Sequence, residues 1–301
     1  MADDYPSKDI RLIIGGKPGG GFDTYSRAIS RYMEKYLPKG VHLIVENRPG
    51  AGHKIAISMV YSAKPDGYTI GMPIMPGLYF AQMFNKQNFD MTKVTWLVTI
   101  LRESMALGIP PESSFKTIKD LQQADVVRVP AVGFASDIES ILGLDQLGIN
   151  GKYITGHKNS KDGILATLRG DGDAVSFTYD SMRKFFVKKQ LIPVLIMGNE
   201  KRIPDFPDVP TLGELGYPEV NSIPARFRVI AGPPDMTAER TKYLREALYK
   251  TLTDPEFVDW SKKAKRPVEA LTGEETEKVL KLVMGEFDNR RESLKKYMTM
   301  E

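Results

Sequence analysis

The chain has 301 residues, of which 42% are apolar and 27% charged, so it can bury one large core or two smaller ones. Its net charge of +4 is mild and unclustered, which argues against a nucleic-acid-binding protein. It contains no cysteine, which excludes disulfides and thiolate metal sites. No apolar run is long enough for a membrane-spanning helix. The first residues lack the apolar region of a signal peptide, so we expect either a cytosolic protein or one whose signal has been removed.

Strand and helix patterns alternate in the first third of the chain. Apolar residues at helical spacing predict an amphipathic helix over 25–37, with Asp23 or Thr24 as its N-cap. A second helix is predicted over 54–63, and strands are predicted at 10–14, 41–45 and 68–72. This alternation is typical of a parallel sheet with helical crossovers.

The remaining elements suggest a second, similar lobe and a helical C-terminus. Strands are predicted at 94–100, 105–109, 126–131, 174–177, 193–197 and 229–231, and C-terminal helices at 238–252, 255–263 and 273–297. Capping boxes are predicted for Thr117 with Asp120, Ser136 with Glu139, and Thr272 with Glu275. Two units of strand, glycine turn and helix therefore predict two α/β lobes.

Residues 15–23, Gly-Gly-Lys-Pro-Gly-Gly-Gly-Phe-Asp, join the first strand to the first helix. Such a turn leaves backbone N–H groups at a helix N-terminus, where they can bind an anion. The alternative is a tight turn that binds nothing. A nucleotide is not favoured, because the P-loop pattern is absent and Asp23 would repel a pyrophosphate.

Residues 133–139 form the second glycine turn before a helix. The Ser136 hydroxyl and the N–H groups of residues 135–138 could hold another anionic group, or Ser136 could act only as a helix cap. If both turns face one cleft, a dicarboxylate fits them.

Patterns that would indicate an enzyme are weak. The histidines at 42, 53 and 157 do not form H-E-x-x-H, and G-x-S-x-G is absent. His157 could contact an anion, although a place in a surface loop is favoured. Arg226 and Arg228 share one face of an extended segment. They are either carboxylate clamps or, as is slightly favoured, surface charges.

Four ordered motifs carry a resemblance to a known family over about residues 5–295. They are Tyr5-Pro6 followed by Pro18-Gly-Gly-Gly-Phe-Asp23, then Val-Glu-Asn-Arg-Pro-Gly-Ala-Gly at 45–52, Pro-Asp-Gly-Tyr-Thr at 65–69, and Arg202 with Pro210-Thr211, Glu214 and Gly216. The chain resembles the Bug receptors, the TctC-like solute-binding proteins of tripartite tricarboxylate transporters.

The resemblance implies an α/β, two-lobed type II periplasmic-binding-protein (Venus-flytrap) fold with the ligand cleft between the lobes. Lobe one is expected to comprise 1–103 and 228–301, and lobe two 104–227, with hinges near 103–105 and 225–228. The expected ligand-binding residues are Pro18, Gly19, Gly20, Gly21, Phe22, Asp23, Met75, Pro76, Phe134, Ala135, Ser136, Asp137, His157, Tyr179, Arg226 and Arg228.

The sequence departs from the family pattern at three places. His53-Lys54 replaces a Gly-Asn pair, His157 stands where a tyrosine contact is usual, and Arg226 and Arg228 flank Phe227. We hypothesise that the arginines and His157 suit a ligand with more negative charge. Met75 and Pro76 are expected to line the cleft, although core packing explains Met75 equally well.

The resemblance implies an extracytoplasmic, periplasmic receptor that binds a small organic carboxylate, with di- and tricarboxylates favoured. It would deliver this ligand to the membrane permease of a tripartite tricarboxylate transporter. We expect a monomer that is not an enzyme and has no cofactor, metal or nucleic-acid partner. The alternatives are an orphan receptor that feeds a sensor kinase and, less favoured, an enzyme on a similar scaffold.

Overall fold

The computed structural model describes residues 5–217 and 225–295, apart from the side chains of residues 134 and 135. The chain divides into two compact units. Unit 1 is Met1–Arg102 with Phe227–Asn289, and unit 2 is Glu103–Arg226 with Arg290–Glu301. At both boundaries the chain passes from one unit to the other one residue earlier than expected. The segment from Arg290 groups with unit 2, whereas the sequence placed it in lobe one.

The strands alternate with helices along most of the chain. The strands are β1 (Ile10–Ile14), β2 (Leu43–Asn47), β3 (Thr69–Met72), β4 (Ile74–Met75), β5 (Thr95–Ile109), β6 (Val127–Pro130), β7 (Gly151–Ile154), β8 (Val175–Thr178), β9 (Ile192–Met197) and β10 (Ala225–Gly232). The α-helices are α1 (Gly21–Met33), α2 (Lys54–Tyr61), α3 (Gly77–Phe84), α4 (Ile118–Gln123), α5 (Phe134–Gln146), α6 (Ser160–Leu168), α7 (Tyr179–Val187), α8 (Ala238–Thr253), α9 (Pro255–Lys263), α10 (Gly273–Asn289) and α11 (Arg291–Leu294). Short 3₁₀ helices lie at Glu34–Tyr36 and Ala51–His53.

The sheet of unit 1 is built around β1. This strand pairs in parallel with β2 and β3, which confirms the predicted parallel arrangement in the first third of the chain. Four of its five residues are buried, as is typical of a strand covered on both faces. β10 runs antiparallel to β3 and β4 and places Phe227 opposite Met75, and Arg228 opposite Ile74.

Unit 2 has a different strand arrangement. Residues 105–109 of β5 pair antiparallel with β8 and β9, while β6 and β7 form a separate parallel pair. The core packs Phe177, Phe185 and Phe186 with Ile164 and Ile196. The second series of strands is therefore not uniformly parallel.

Several elements differ from the patterns expected from the sequence. β5 is one strand where two were predicted, because the polar residues 102–104 continue it and Glu103 is buried. β4 and α3 were not predicted from the sequence. α3 is buried on nearly every side, so its residues show no amphipathic pattern. The predicted helix 273–297 ends at Asn289 and restarts at Arg291, and its last two residues lie outside the described part of the chain. In residues 5–217 and 225–295 we find no helix with the length and apolar character needed to span a bilayer.

Candidate functional site

The first turn, residues 15–23, closes on its own aspartate. α1 begins at Gly21, and its N-cap is Gly20, which makes no side-chain hydrogen bond. Gly19 has φ +77°, a left-handed conformation that favours glycine. The Gly19 N–H donates to Asp23 Oδ2 at 2.9 Å, and Asp23 is only 4% exposed. The predicted cap at Asp23 or Thr24 is therefore wrong, because Asp23 closes the turn from inside the helix.

The Asp23 carboxylate is satisfied within the protein. Its Oδ1 accepts hydrogen bonds from Arg27 Nε at 2.9 Å and from Asn47 Nδ2 at 3.0 Å. Asn47 Nδ2 also donates to the Gly16 carbonyl at 2.9 Å. The Arg27 guanidinium, helped by the Gly19 and Asn47 donors, holds the pKa of Asp23 below its ordinary value. Asp23 thus fixes the shape of the turn as a buried, ionised carboxylate.

The first amides of α1 supply the donors of this turn. Gly20 N–H already donates to the Lys17 carbonyl at 3.1 Å, and the first intrahelical bond runs from Thr24 N–H to the Gly20 carbonyl at 2.9 Å. The amides of Gly21, Phe22 and Asp23 precede that bond, so they have no acceptor inside the helix. Together with the helix dipole, they form a place where a carboxylate is favourable.

Arg228 lies at the start of α1 and is not a surface charge. It is 7% exposed, and its guanidinium carbon lies 4.3 Å from the Phe22 ring centroid and 5.3 Å from that of Tyr25. A Cβ on Gly21 would lie 3.0 Å from Arg228 Nη2, so glycine leaves room for the guanidinium. The surface interpretation is therefore wrong for Arg228. Its positive charge and the helix N-terminus favour the same kind of ligand, an anion.

His53 also belongs to this neighbourhood, although sequence reasoning noted it only as a departure at a helix start. It is the N-cap of α2, with φ +72°, and its ring centroid lies 4.6 Å from that of Phe22. Phe22 is 8% exposed, and its ring contacts both His53 and Arg228. An aromatic side chain in place of the family's glycine was the only sequence signal for this contact.

Met75 and Pro76 lie at the end of β4. Met75 is fully buried, which matches the core-packing alternative considered for it. Pro76 is also buried and is the N-cap residue of α3.

The second turn, residues 133–139 in unit 2, is also closed by its own aspartate. Asp137, which is 3% exposed, accepts hydrogen bonds through Oδ2 from Val132 N–H at 2.6 Å and Gly133 N–H at 3.1 Å. As with Asp23 and Gly19, the aspartate stands four residues after the glycine it bonds. The N–H groups of Ser136 and Asp137 both donate to the Gly133 carbonyl at 3.0 Å, so these two expected anion donors are used internally. Of Phe134 and Ala135, only the backbone is described.

The capping box predicted for Ser136 with Glu139 is wrong. Gly133 is the N-cap of α5 and makes no side-chain cap bond, because Asp137 satisfies the turn instead. The Glu139 carboxylate, which is fully buried, bonds Arg226 through both oxygens at 3.3 Å.

Arg226 joins this helix start to the beginning of β10. Its Nη2 donates to the Ser136 carbonyl, and it lies 4.0 Å from Asp137 Oδ1. Burial raises the pKa values of Asp137 and Glu139, and the Arg226 guanidinium opposes both shifts. Burial tends to lower the pKa of Arg226, but the carboxylates, Glu139 foremost, outweigh it and raise that pKa. The surface interpretation is therefore wrong for Arg226 as well.

His157 lies beside the second turn. Its N–H donates to the Ala131 carbonyl at 3.4 Å, its Nδ1 lies 3.5 Å from Asp162 Oδ2, and its side chain is 17% exposed. Burial raises the pKa of Asp137, and His157 is among the groups that oppose this shift. Among the described residues, its buried Nε2 has no hydrogen-bond partner. His157 is thus in a loop, as favoured from the sequence, but most of its ring is covered.

Tyr179 begins α7, and its hydroxyl is committed to a neighbour. The hydroxyl donates to Asp205 Oδ2 at 2.8 Å, and burial with this bond raises the pKa of Tyr179. Its ring lies 6.3 Å from that of Phe206. Within residues 5–217 and 225–295, no group of three acidic or histidine side chains is arranged to hold a metal ion.

Comparison with known proteins identifies the family of the chain. Residues 26–296 match the family described as "Tripartite tricarboxylate transporter family receptor". The "UPF0065 protein in gbd 5'region" of Cupriavidus necator is 30% identical over 265 residues, which cover 85% of this chain and 78% of that protein.

Solved structures show the same fold. A TctC solute-binding protein from Polaromonas, solved without ligand, has a TM-score of 0.79 at 23% identity and covers 96% of this chain and 100% of its own. MatC from Rhodopseudomonas palustris, solved with bound malate, has a TM-score of 0.76 at 20% identity and covers 95% of this chain and 99% of its own. The fold is that of the two-lobed periplasmic binding proteins, and the chain belongs to the receptor family of tripartite tricarboxylate transporters.

Proposed function

We propose that this protein is a periplasmic receptor that binds a small organic carboxylate and delivers it to the permease of a tripartite tricarboxylate transporter. The observation that carries the proposal is the first turn. There the first amides of α1 and the buried Arg228 guanidinium lie beside Gly21, which has no side chain. A carboxylate is the ligand group that this combination suits best.

The contacts at this turn can supply a large part of the binding energy that a receptor needs. A charge-assisted hydrogen bond contributes about 1.5–3 kcal/mol, and the helix start adds about 0.3–1 kcal/mol. Two or three such bonds with the helix start give about 3–10 kcal/mol before the cost of ordering the ligand, so micromolar binding at roughly −8 kcal/mol also requires contacts to the rest of the ligand. Phe22 supports the guanidinium, so little side-chain ordering is needed when the ligand arrives.

A second carboxylate on the ligand is the finer part of the proposal. The second turn offers the Ser136 hydroxyl and the buried Nε2 of His157, which can donate to an oxygen when it carries a proton. Arg226 and Tyr179 contribute less, because their polar groups are committed to Glu139 and Asp205. We therefore propose that Arg228 and His157 are the residues that suit this family member to a ligand with more negative charge. The malate of MatC, a dicarboxylate, agrees with a ligand that has two acidic ends.

A thermal-shift screen tests the proposal. The panel contains mono-, di- and tricarboxylates, each paired with its uncharged amide. We expect dicarboxylates to raise the melting temperature while their diamides do not, because both turns require a charged acceptor. A flat panel would contradict the proposal if mass spectrometry of the denatured protein also finds no retained organic acid.

A further inference from the structure

Arg226 makes more polar contacts than its place in an extended strand suggests. Its Nε and Nη2 reach the two Glu139 oxygens at 3.3 Å, and Nη2 also donates to the carbonyl of Ser136. Both partners lie in the first two turns of α5, the helix that follows the second glycine turn. One side chain at the start of β10 therefore holds the beginning of another element.

Burial explains why this contact is required. Glu139 is 0% exposed and Asp137 is 3% exposed, and a buried carboxylate is costly unless a cation and hydrogen bonds compensate it. The planar guanidinium supplies several donors in fixed directions and can serve Glu139 and the Ser136 carbonyl together. A lysine ammonium in its place would keep the charge but lose this geometry.

The same contacts argue against a direct role in ligand binding. A ligand carboxylate would have to compete with Glu139, which is buried and already bonded through both oxygens. Arg228, two residues later, is different, since its guanidinium stacks on the Phe22 and Tyr25 rings at the start of α1. Two arginines of similar sequence context thus have different surroundings.

We propose that Arg226 is a positioning residue, which fixes the backbone of the second turn through Ser136 and Glu139 and does not itself bind the ligand. This inference rests on the proposed function in taking the second turn as part of the carboxylate site. By holding the Ser136 carbonyl, Arg226 sets the direction of the helix start and of the Ser136 hydroxyl.

Hydrogen exchange in the ligand-free protein tests the proposal without reference to any ligand. The variants are Arg226→Lys, Glu139→Gln and the double variant Arg226→Met with Glu139→Met. We expect both single variants to speed exchange in peptides covering 133–142 by about tenfold, the factor expected for about 1.4 kcal/mol of lost hydrogen bonding. Exchange in peptides covering 16–27, in the first turn, should not change.

The double variant separates positioning from simple charge compensation. Replacing a buried ion pair by apolar side chains is often neutral for stability, so the melting temperature should return to within a few degrees of the wild type. Exchange in 133–142 should stay fast, because the Ser136 carbonyl has lost its donor. Return of wild-type exchange in the double variant would overturn the proposal.

Titration with malate and with the monocarboxylate lactate supplies the second readout. A positioning role predicts that Arg226→Lys and Glu139→Gln weaken malate binding by similar factors, because either change loosens the second turn. Lactate binding, which needs only the first turn, should stay near wild type in both variants. A direct clamp would instead weaken malate binding at least tenfold in Arg226→Lys while Glu139→Gln stays near wild type, and that result would overturn the proposal. If the wild-type protein binds neither acid nor any other carboxylate of the panel, the proposed function fails, while the exchange data still decide the role of Arg226.

Discussion

Replacing Arg228 by glutamine should weaken carboxylate binding strongly while leaving the fold intact. The guanidinium is 7% exposed and lies beside Gly21 at the start of α1, so its charge acts at short range with little solvent screening. Loss of one charge-assisted contact costs about 2 kcal/mol, which corresponds to roughly a thirtyfold rise in Kd. Arg228→Lys keeps the charge but not the planar stack on Phe22, and we expect an intermediate loss of about fivefold.

Titration calorimetry with the dicarboxylate that gives the largest thermal shift measures this effect. Arg240→Gln is a matched control, because Arg240 also stacks on an aromatic ring of unit 1, that of Tyr5 at 5.2 Å. Arg228→Gln loses contacts with two rings, and Arg240→Gln loses one ring contact together with its hydrogen bond to the Asp66 carbonyl, so their melting temperatures should fall by similar amounts. Unchanged affinity in Arg228→Gln, or an equal loss of affinity in the control, would refute the assignment of Arg228 to the ligand.

Two further changes test the first turn and the stability of unit 1. Gly21→Ala places a Cβ 3.0 Å from Arg228 Nη2 and should raise the Kd of the ligand about fivefold. Gly285→Ala, whose Cβ meets open space in α10, should leave affinity unchanged and add about 0.5–1 kcal/mol to the unfolding free energy. Equal ligand affinities in the two variants would contradict this expectation. The Tyr36 hydroxyl and backbone donors at the start of α9 lower the pKa of Asp254 to about 2. A group with a lowered folded-state pKa stabilises the protein fully above its ordinary pKa of 3.8, so the stability advantage of the wild type over Asp254→Asn should shrink as the pH falls from 4 to 2. Urea unfolding at several pH values measures it, and a difference independent of pH would be inconsistent with this role.

Local patterns were sufficient to locate the first strand and the glycine turns. β1 matches its predicted bounds because an apolar run between polar residues has few alternatives. The box of Thr117 with Asp120 and that of Thr272 with Glu275 are confirmed by reciprocal hydrogen bonds. These features depend only on neighbours in sequence, which is why the sequence alone can specify them.

The surroundings of the two arginines could not be predicted in this way. Alternating arginines around Phe227 look like one charged face, but their environments depend on partners far along the chain, Glu139 for Arg226 and Phe22 for Arg228. The box at Ser136 failed for a similar reason. Glu139, which would complete the box, instead forms an ion pair with Arg226, a residue far along the chain.

A crystal structure of the protein with its best-binding dicarboxylate is the most direct test of the central claim. We predict one carboxylate of the ligand within hydrogen-bond distance of the Gly21 or Phe22 amide and of the Arg228 guanidinium. A ligand bound away from the first turn, or one that leaves Arg228 without contact, would contradict the account.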